Sequence, residues 1–134
     1  SLKEQIDQQI PFIESQKKLY KQLKPCFCDA IQEKIHFNSE GLRHLLYDKH
    51  RPRNMREKHD RMCLIQHLVY VITTAKSATI QLYENPPCKL WALEWITVSN
   101  AKHGSIRMKV ILKKNGNGNV HFWSAMSRKN KEVK

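Results

Sequence analysis

The sequence predicts an α+β fold in which N-terminal helices pack on one face of a C-terminal antiparallel sheet of about four strands. Apolar side chains recur at helical spacing over roughly the first 75 residues, and beyond that point they alternate with polar ones, as in half-buried strands. The stretch NGNGN, residues 115–119, predicts a tight hairpin because Gly and Asn accept positive φ. Helices that precede the strands, rather than alternating with them, indicate one helical layer on one sheet face.

Three helices are predicted before the sheet. The first lies in IPFIESQKKLYKQLK, with Pro11 at its start, where a missing N–H costs little. A short strand, EKIHFN, precedes a short helix in NSEGLRHLLYDKH that Asn38 or Ser39 can cap. A longer helix is predicted over roughly residues 53–74. Its core-facing residues are Met62, Ile65, Leu68, Val69 and Ile72.

Four strands are predicted, from ATIQLY, LWALEWITV, IRMKVILK and VHFWSAM. Along the third, apolar residues alternate with Arg107, Lys109 and Lys113, so one sheet face is expected to be apolar and the other basic. The apolar residues are Ile106, Met108, Val110 and Leu112.

Two pairs of side chains are assigned to faces by the same alternation. His121 and Ser124 are expected on opposite faces of the last strand if that strand is regular. Trp91 and Trp95 are expected on one side of theirs, where they form either core aromatics or a base-stacking platform.

The net charge of +12 is concentrated in two segments. Residues 49–61 carry +4 and residues 99–134 carry +8, so the remainder of the chain is neutral. A field this uneven attracts polyanions and suits RNA or DNA. Simple solubility and an acidic protein partner are the alternatives. The chain lacks any apolar run near the ~20 residues of a membrane span, and its polar first helix does not read as a signal peptide, so a cytoplasmic protein without membrane contact is expected.

Metal and cofactor sites are not predicted. The four cysteines, Cys26, Cys28, Cys63 and Cys88, include no CxxC pair and are expected to be reduced thiols. The twelve acidic residues are scattered, without an HExxH or DxD arrangement. A metal-dependent nuclease is therefore disfavoured.

Metal-free RNA cleavage needs a base for the ribose 2′-OH, an acid for the 5′-oxygen, and cations for the phosphate. Histidine suits the first two roles and arginine the third. The candidate catalytic residues are His44, His50, His121 and Ser124. The candidate substrate-binding residues are Arg51, Arg53, Arg107, Lys109 and Arg128. Each has a structural alternative: His44 as a packing residue between leucines, Arg128 as part of a solvated tail, and residues 49–61 as a solvated helix face.

The order of KIHF, EGLRHLL, a basic stretch with a helix, and antiparallel strands ending in VHFWSAM resembles the barnase–EndoU–colicin–RelE (BECR) nuclease superfamily, in its phage-type and polymorphic-toxin branches. The resemblance divides the single domain, residues 1–134, into a helical extension (1–29), a core (30–128) and a basic tail (129–134). In this resemblance His44 matches the helix histidine of the phage-type branch, and His50 and Arg53 match the basic positions after it. Ser124 matches the hydroxyl residue of the last strand. The Ser/Thr-X-Tyr ending of EndoU is missing, because Met126 stands two residues after Ser124.

The resemblance implies metal-independent endonucleolytic cleavage of RNA, often of tRNA, by a bacterial or phage toxin or effector domain. An acidic immunity or antitoxin protein would be a second partner, and the domain would be delivered as part of a larger toxin. Two other functions remain open from the residues. One is a non-catalytic nucleic-acid-binding module that uses the basic sheet face. The other is an interaction domain for an acidic protein.

Overall fold

A computed structural model describes residues 2–100 and 104–129 of the chain. The helices are α1 (Leu2–Lys21), α2 (Ser39–Leu46), α3 (Met55–Met62) and α4 (Leu68–Thr74), with a 3₁₀ turn at Ile65–His67. The strands are β1 (Cys26–Cys28), β2 (Glu33–Ile35), β3 (Tyr47–Asp48), β4 (Arg51–Pro52), β5 (Ala78–Glu84), β6 (Pro87–Leu93), β7 (Ile96–Asn100), β8 (Gly104–Asn115) and β9 (Val120–Lys129). Residues 130–134 of the predicted basic tail (129–134) lie outside the described residues, and Lys129 belongs to β9.

The main sheet has five antiparallel strands, β5 to β9, and the predicted α+β class is confirmed. β6 and β7 pair with different halves of β8, while β9 pairs with β8 along nearly its whole length. Because a strand has only two edges, β6 and β7 must lie end to end along one edge of β8, with β9 along the other. The NGNGN stretch forms the turn between β8 and β9, as predicted.

The predicted strand LWALEWITV is interrupted. Ala92 pairs with Ile111 and Ile96 with Met108, so three residues on this segment face two on β8. One extra residue reverses the alternation of faces, as in a β-bulge. Trp91 therefore pairs with buried Leu112 and packs against the core, whereas Trp95 lies on the opposite face beside Lys109. The expectation that both tryptophans share one side is wrong.

The helix predicted over residues 53–74 is also interrupted, and ends its first segment at Met62. Met62, Leu64 and Ile65 are all buried. On a continuous helix residues 62 and 64 would lie about 200° apart, so a turn is needed for both to reach one core. Val69, predicted to face the core, is 37% exposed on α4.

Helix α1 begins at Leu2, so Pro11 lies inside it and not at its start as predicted. The residues before Pro11 are mostly good helix formers and extend the helix toward the N-terminus. Ile13 and Tyr20 of α1 belong to the hydrophobic core, and the Tyr20 hydroxyl donates to the Asn38 carbonyl (2.5 Å). Helix α1 thus packs beside the start of α2. None of the helices among the described residues is long and apolar enough to cross a membrane.

The sheet buries one face against the helices. On β8 the four predicted apolar residues, Ile106, Met108, Val110 and Leu112, are all buried, which confirms the alternation read from this strand. We call the opposite surface the outer face. The chain after β2 continues the sheet past β9, because the His36 N–H donates to the Val120 carbonyl (2.9 Å) and the Phe122 N–H donates to the His36 carbonyl (2.8 Å). This pairing covers the edge of β9 and brings α2 beside it.

Candidate active site

A β-bulge in β9 brings the polar residues of this strand to one face. Phe122 pairs with Leu112, but Ser124 pairs with Ile111, so Trp123 is an extra residue in the register. His121 pairs with Lys113. Lys113 and Ile111 both alternate with buried residues of β8, so His121 and Ser124 share the outer face. The sequence predicted opposite faces for His121 and Ser124 on condition that the strand is regular. The strand is bulged, so the two residues share a face.

Helix α2, which packs on β9, supplies other residues of the site. Asn38 caps the helix by accepting the Gly41 N–H through its side chain (3.2 Å). A side-chain carbon at Gly41 would lie 2.5 Å from Phe122 Cδ2, so only glycine allows the helix this close to β9. Glu40 and His44 are four residues apart, which places them on one side of the helix. Each contacts a residue of β9, as described next.

Trp123 holds two cationic or titratable groups against its ring. The His44 ring centroid lies 3.8 Å from that of Trp123, and the Lys113 Nζ lies 3.7 Å from it. The His121 ring is 6.1 Å away in an edge-on arrangement. We call His44, Lys113, His121 and Trp123, with Glu40, the histidine cluster. Its members come from α2, β8 and β9, and are brought together only by folding.

His121 is almost completely buried, at 5% exposure. Its Nε2 lies 3.2 Å from Glu40 Oε2, within ion-pair distance, but the contact does not have hydrogen-bond geometry. Within residues 2–100 and 104–129, Nε2 is thus a buried nitrogen without an aligned hydrogen-bond partner. Burial lowers the pKa of His121, while Glu40 and a hydrogen bond to the Asn119 backbone oppose that shift.

The pKa of His44 is also shifted by its surroundings. Burial is the main cause that lowers its pKa, and the nearby Lys113 adds to the shift, whereas Glu40 opposes it. Two imidazoles with lowered pKa values and one ammonium group therefore stand around Trp123. Perturbed titratable groups that converge in this way are typical of acid–base catalytic sites.

A pocket of about 410 Å³ opens beside His121. It lies between the start of α2 and the β8–β9 turn. Its lining residues are His36, Asn38, Glu40, Asn115, Gly118, Asn119 and His121. The pocket thus lies on the Glu40 side of the histidine cluster.

The other predicted site residues lie at different distances from this cluster. His50 is exposed in the turn between β3 and β4, and Arg51 is exposed on β4. Arg53 donates to the His44 carbonyl through Nε (3.3 Å) and Nη2 (3.2 Å), so it supports the backbone of α2. Its Nη1 also lies 3.8 Å from Glu57. The structure thus brings His44 and His121 to the same tryptophan, Trp123. Arg53 contacts the backbone of His44, and His50 lies apart on the tip of the β3–β4 hairpin.

Arg107, Lys109 and Arg128 lie farther along the outer face. Lys109 Nζ is 5.6 Å from the centre of the Trp95 ring, and the Arg128 guanidinium carbon is 4.2 Å from it. Arg107 and Arg128 are direct register partners on neighbouring strands. These three cations with Trp95 form what we call the basic patch.

Sequence reasoning missed three members of the histidine cluster, Glu40, Lys113 and Trp123. Lys113 carried a signal, because it alternates with Arg107 and Lys109 along β8. Glu40 carried a weaker one, its four-residue spacing from His44. Trp123 carried none, since its position depends on the bulge. The described residues contain no group of three His, Cys, Asp or Glu side chains arranged to hold a metal ion, and all four cysteines are free.

Comparisons with protein-family models, with curated proteins and with solved structures found no match to this chain.

Proposed function

We propose that the protein is a metal-independent endoribonuclease whose catalytic residues are His44, His121 and Lys113. The observation that carries the proposal is the convergence of two histidines and a lysine, from α2, β9 and β8, around Trp123. The layout that resembles the BECR superfamily supports the same reaction. The positive charge of the chain suits a polyanionic substrate.

The reaction needs one histidine in each of two protonation states. One neutral imidazole takes the proton from the ribose 2′-OH, and the 2′-oxygen forms a bond to phosphorus. The other, protonated, gives its proton to the 5′-oxygen as the P–O5′ bond breaks. The products are a 2′,3′-cyclic phosphate and a 5′-hydroxyl. Lys113 stabilises the charge on the phosphorane.

In this mechanism Glu40, 3.2 Å from Nε2 of His121, turns aside to admit the substrate. The Glu40 side chain is 50% exposed, which leaves it room to rotate toward solvent. When it lies over His121, its charge counters the effect of burial on the pKa of His121. Ser124, half-buried on the same face, is available to bind a phosphate oxygen.

The test is cleavage of total RNA and of tRNA in EDTA, followed on a denaturing gel. We expect discrete fragments from the wild-type protein and a loss of at least about a hundredfold in rate for His44→Ala and for His121→Ala. Lys113→Ala should also lose most of its activity. Its matched control is Lys114→Ala, which removes the same charge from the neighbouring position on the other face of β8.

His50→Ala decides between the sequence-based assignment and the cluster. His50 is exposed on the β3–β4 turn, so we expect its replacement to leave the rate within about twofold of wild type. Intact RNA with the folded wild-type protein would overturn the nuclease proposal. Activity that survives both cluster substitutions and is lost with His50→Ala would move the catalytic site to the hairpin.

A role as a toxin or effector, held in check by an acidic partner, belongs to the same proposal. It is supported by the resemblance and by the charge of +12. If an acidic antitoxin protein binds, it is expected to cover the histidine cluster and to inhibit cleavage stoichiometrically.

A further inference from the structure

The basic patch contains an arrangement that costs stability. Arg107 and Arg128 are direct cross-strand partners, so two like charges stand side by side on the outer face. Like charges directly opposite one another in a sheet are destabilising. Lys109 lies two residues from Arg107 on the same face and adds a third positive charge. Glu14, Asp29, Glu40 and Glu57 make their ion pairs elsewhere in the molecule.

Apolar and aromatic surface lies between these cations. Trp95 is half-buried, with Arg128 at 4.2 Å and Lys109 at 5.6 Å from its ring centre. Ile111 and Met126, each half-buried, are on the same face, toward the histidine cluster. A surface that combines cations with aromatic rings binds a polynucleotide whose bases are unpaired, because phosphates and base faces are then both accessible.

We propose that the basic patch binds the single-stranded RNA segment that flanks the cleaved bond. This rests on the proposed function only for the position of the cut. Lys113 and Arg107 are six residues apart on β8, which is about 20 Å along the strand. The RNA backbone follows β8 and β9 from Lys113 to Arg107 and Arg128. A base stacks on Trp95 when phosphates draw Arg128 and Lys109 from the ring.

The experiment measures binding separately from cleavage. A fluorescent, unstructured oligonucleotide of about a dozen 2′-O-methyl nucleotides cannot be cut by 2′-OH attack, and its anisotropy reports binding. We expect the single strand to bind at least about tenfold more tightly than a duplex of the same length. Arg128→Gln and Trp95→Leu should each weaken single-strand binding at least about fivefold. Arg128→Gln should also lower the salt slope by about 0.7.

The matched control is Lys89→Gln, which removes one exposed positive charge from β6. Lys89 lies on the face of the sheet away from the basic patch and pairs with Leu82 of β5. It should change the affinity less than about twofold. An equal loss for Lys89→Gln and Arg128→Gln, or tighter binding of the duplex, would overturn the proposal. Arg128 is exposed, so its replacement keeps the fold even if Trp95→Leu does not. Binding that depends on the basic patch, without any RNA cleavage, would overturn the nuclease proposal and support the binding proposal. Cleavage with binding that does not depend on the basic patch would support the nuclease proposal and overturn the binding proposal.

Discussion

At the scale of single residues, environment separates His44 and His121 from His50. His44 and His121 meet around Trp123, with lowered pKa values, while His50 is exposed on a turn. The sequence could identify all three as candidate catalytic residues, because each is a histidine near basic or strand residues. It could not rank them, since burial and the contact with Trp123 arise from segments almost 80 residues apart.

Replacing Glu40 tests the contact that governs His121. Because the Glu40 carboxylate favours the imidazolium, Glu40→Gln is expected to lower the pKa of His121 further. The measurement is an NMR titration of the His121 ring resonances in the two proteins. Glu14→Gln on α1, which removes an exposed carboxylate paired with Lys17, is the control and should leave that titration unchanged. A pKa of His121 that rises or stays constant in Glu40→Gln would refute the contact.

At the scale of elements, the sequence predicted the regular strand pattern but not the bulges that interrupt it. The alternation of β8 and the turn after it follow from local residue types, and both are confirmed. The bulges at Trp123 and between β6 and β7 each insert one residue into otherwise ordinary strand sequence. Each reverses the face of every residue beyond it. The site depends on the first of these bulges, which is why sequence alone split His121 from Ser124.

The seating of α2 on β9 depends on a glycine. A Cβ at position 41 would lie 2.5 Å from Phe122 Cδ2 and 2.6 Å from both the Phe122 carbonyl and the Tyr20 hydroxyl. Two of these neighbours are buried rings and one is backbone, so Gly41→Ala is expected to cost about 1–3 kcal/mol in free energy of unfolding. Urea denaturation measures this.

Arg43→Ala, at an exposed position of the same helix, should change stability by less than about 0.5 kcal/mol. The same Gly41→Ala protein should lose activity, since His44 is carried by α2. Full stability in Gly41→Ala would show that the helix does not approach β9 so closely.

At the scale of the whole molecule, charge and burial oppose one another. The chain carries +12, yet burial lowers the pKa of three histidines, His44, His67 and His121. The excess charge was evident in the sequence, and the nucleic-acid partner that it favours stays a prediction. Which histidines have a lowered pKa was not evident, because that depends on packing between distant elements.

Acid should therefore destabilise the protein at mildly acidic pH. A histidine whose folded pKa is lowered binds its proton first in the unfolded state, so the free energy of unfolding falls as pH drops below about 6.5 and is largest above that value. Urea denaturation at pH 7.5 and 5.5 measures the loss. His67→Gln, which lies outside the histidine cluster, should make the loss smaller. Equal stability at the two pH values would contradict the lowered pKa of these histidines.

The most direct test of the central claim is the chemical identity of the cleaved ends. An RNA cut in EDTA is analysed by mass spectrometry, beside the same RNA with a single 2′-deoxy substitution at the cut site. The account predicts a 2′,3′-cyclic phosphate and a 5′-hydroxyl on the first RNA, no cut at the substituted position in the second, and no products with His121→Ala. Products with a 5′-phosphate, or cleavage that continues at the deoxy position, would contradict it.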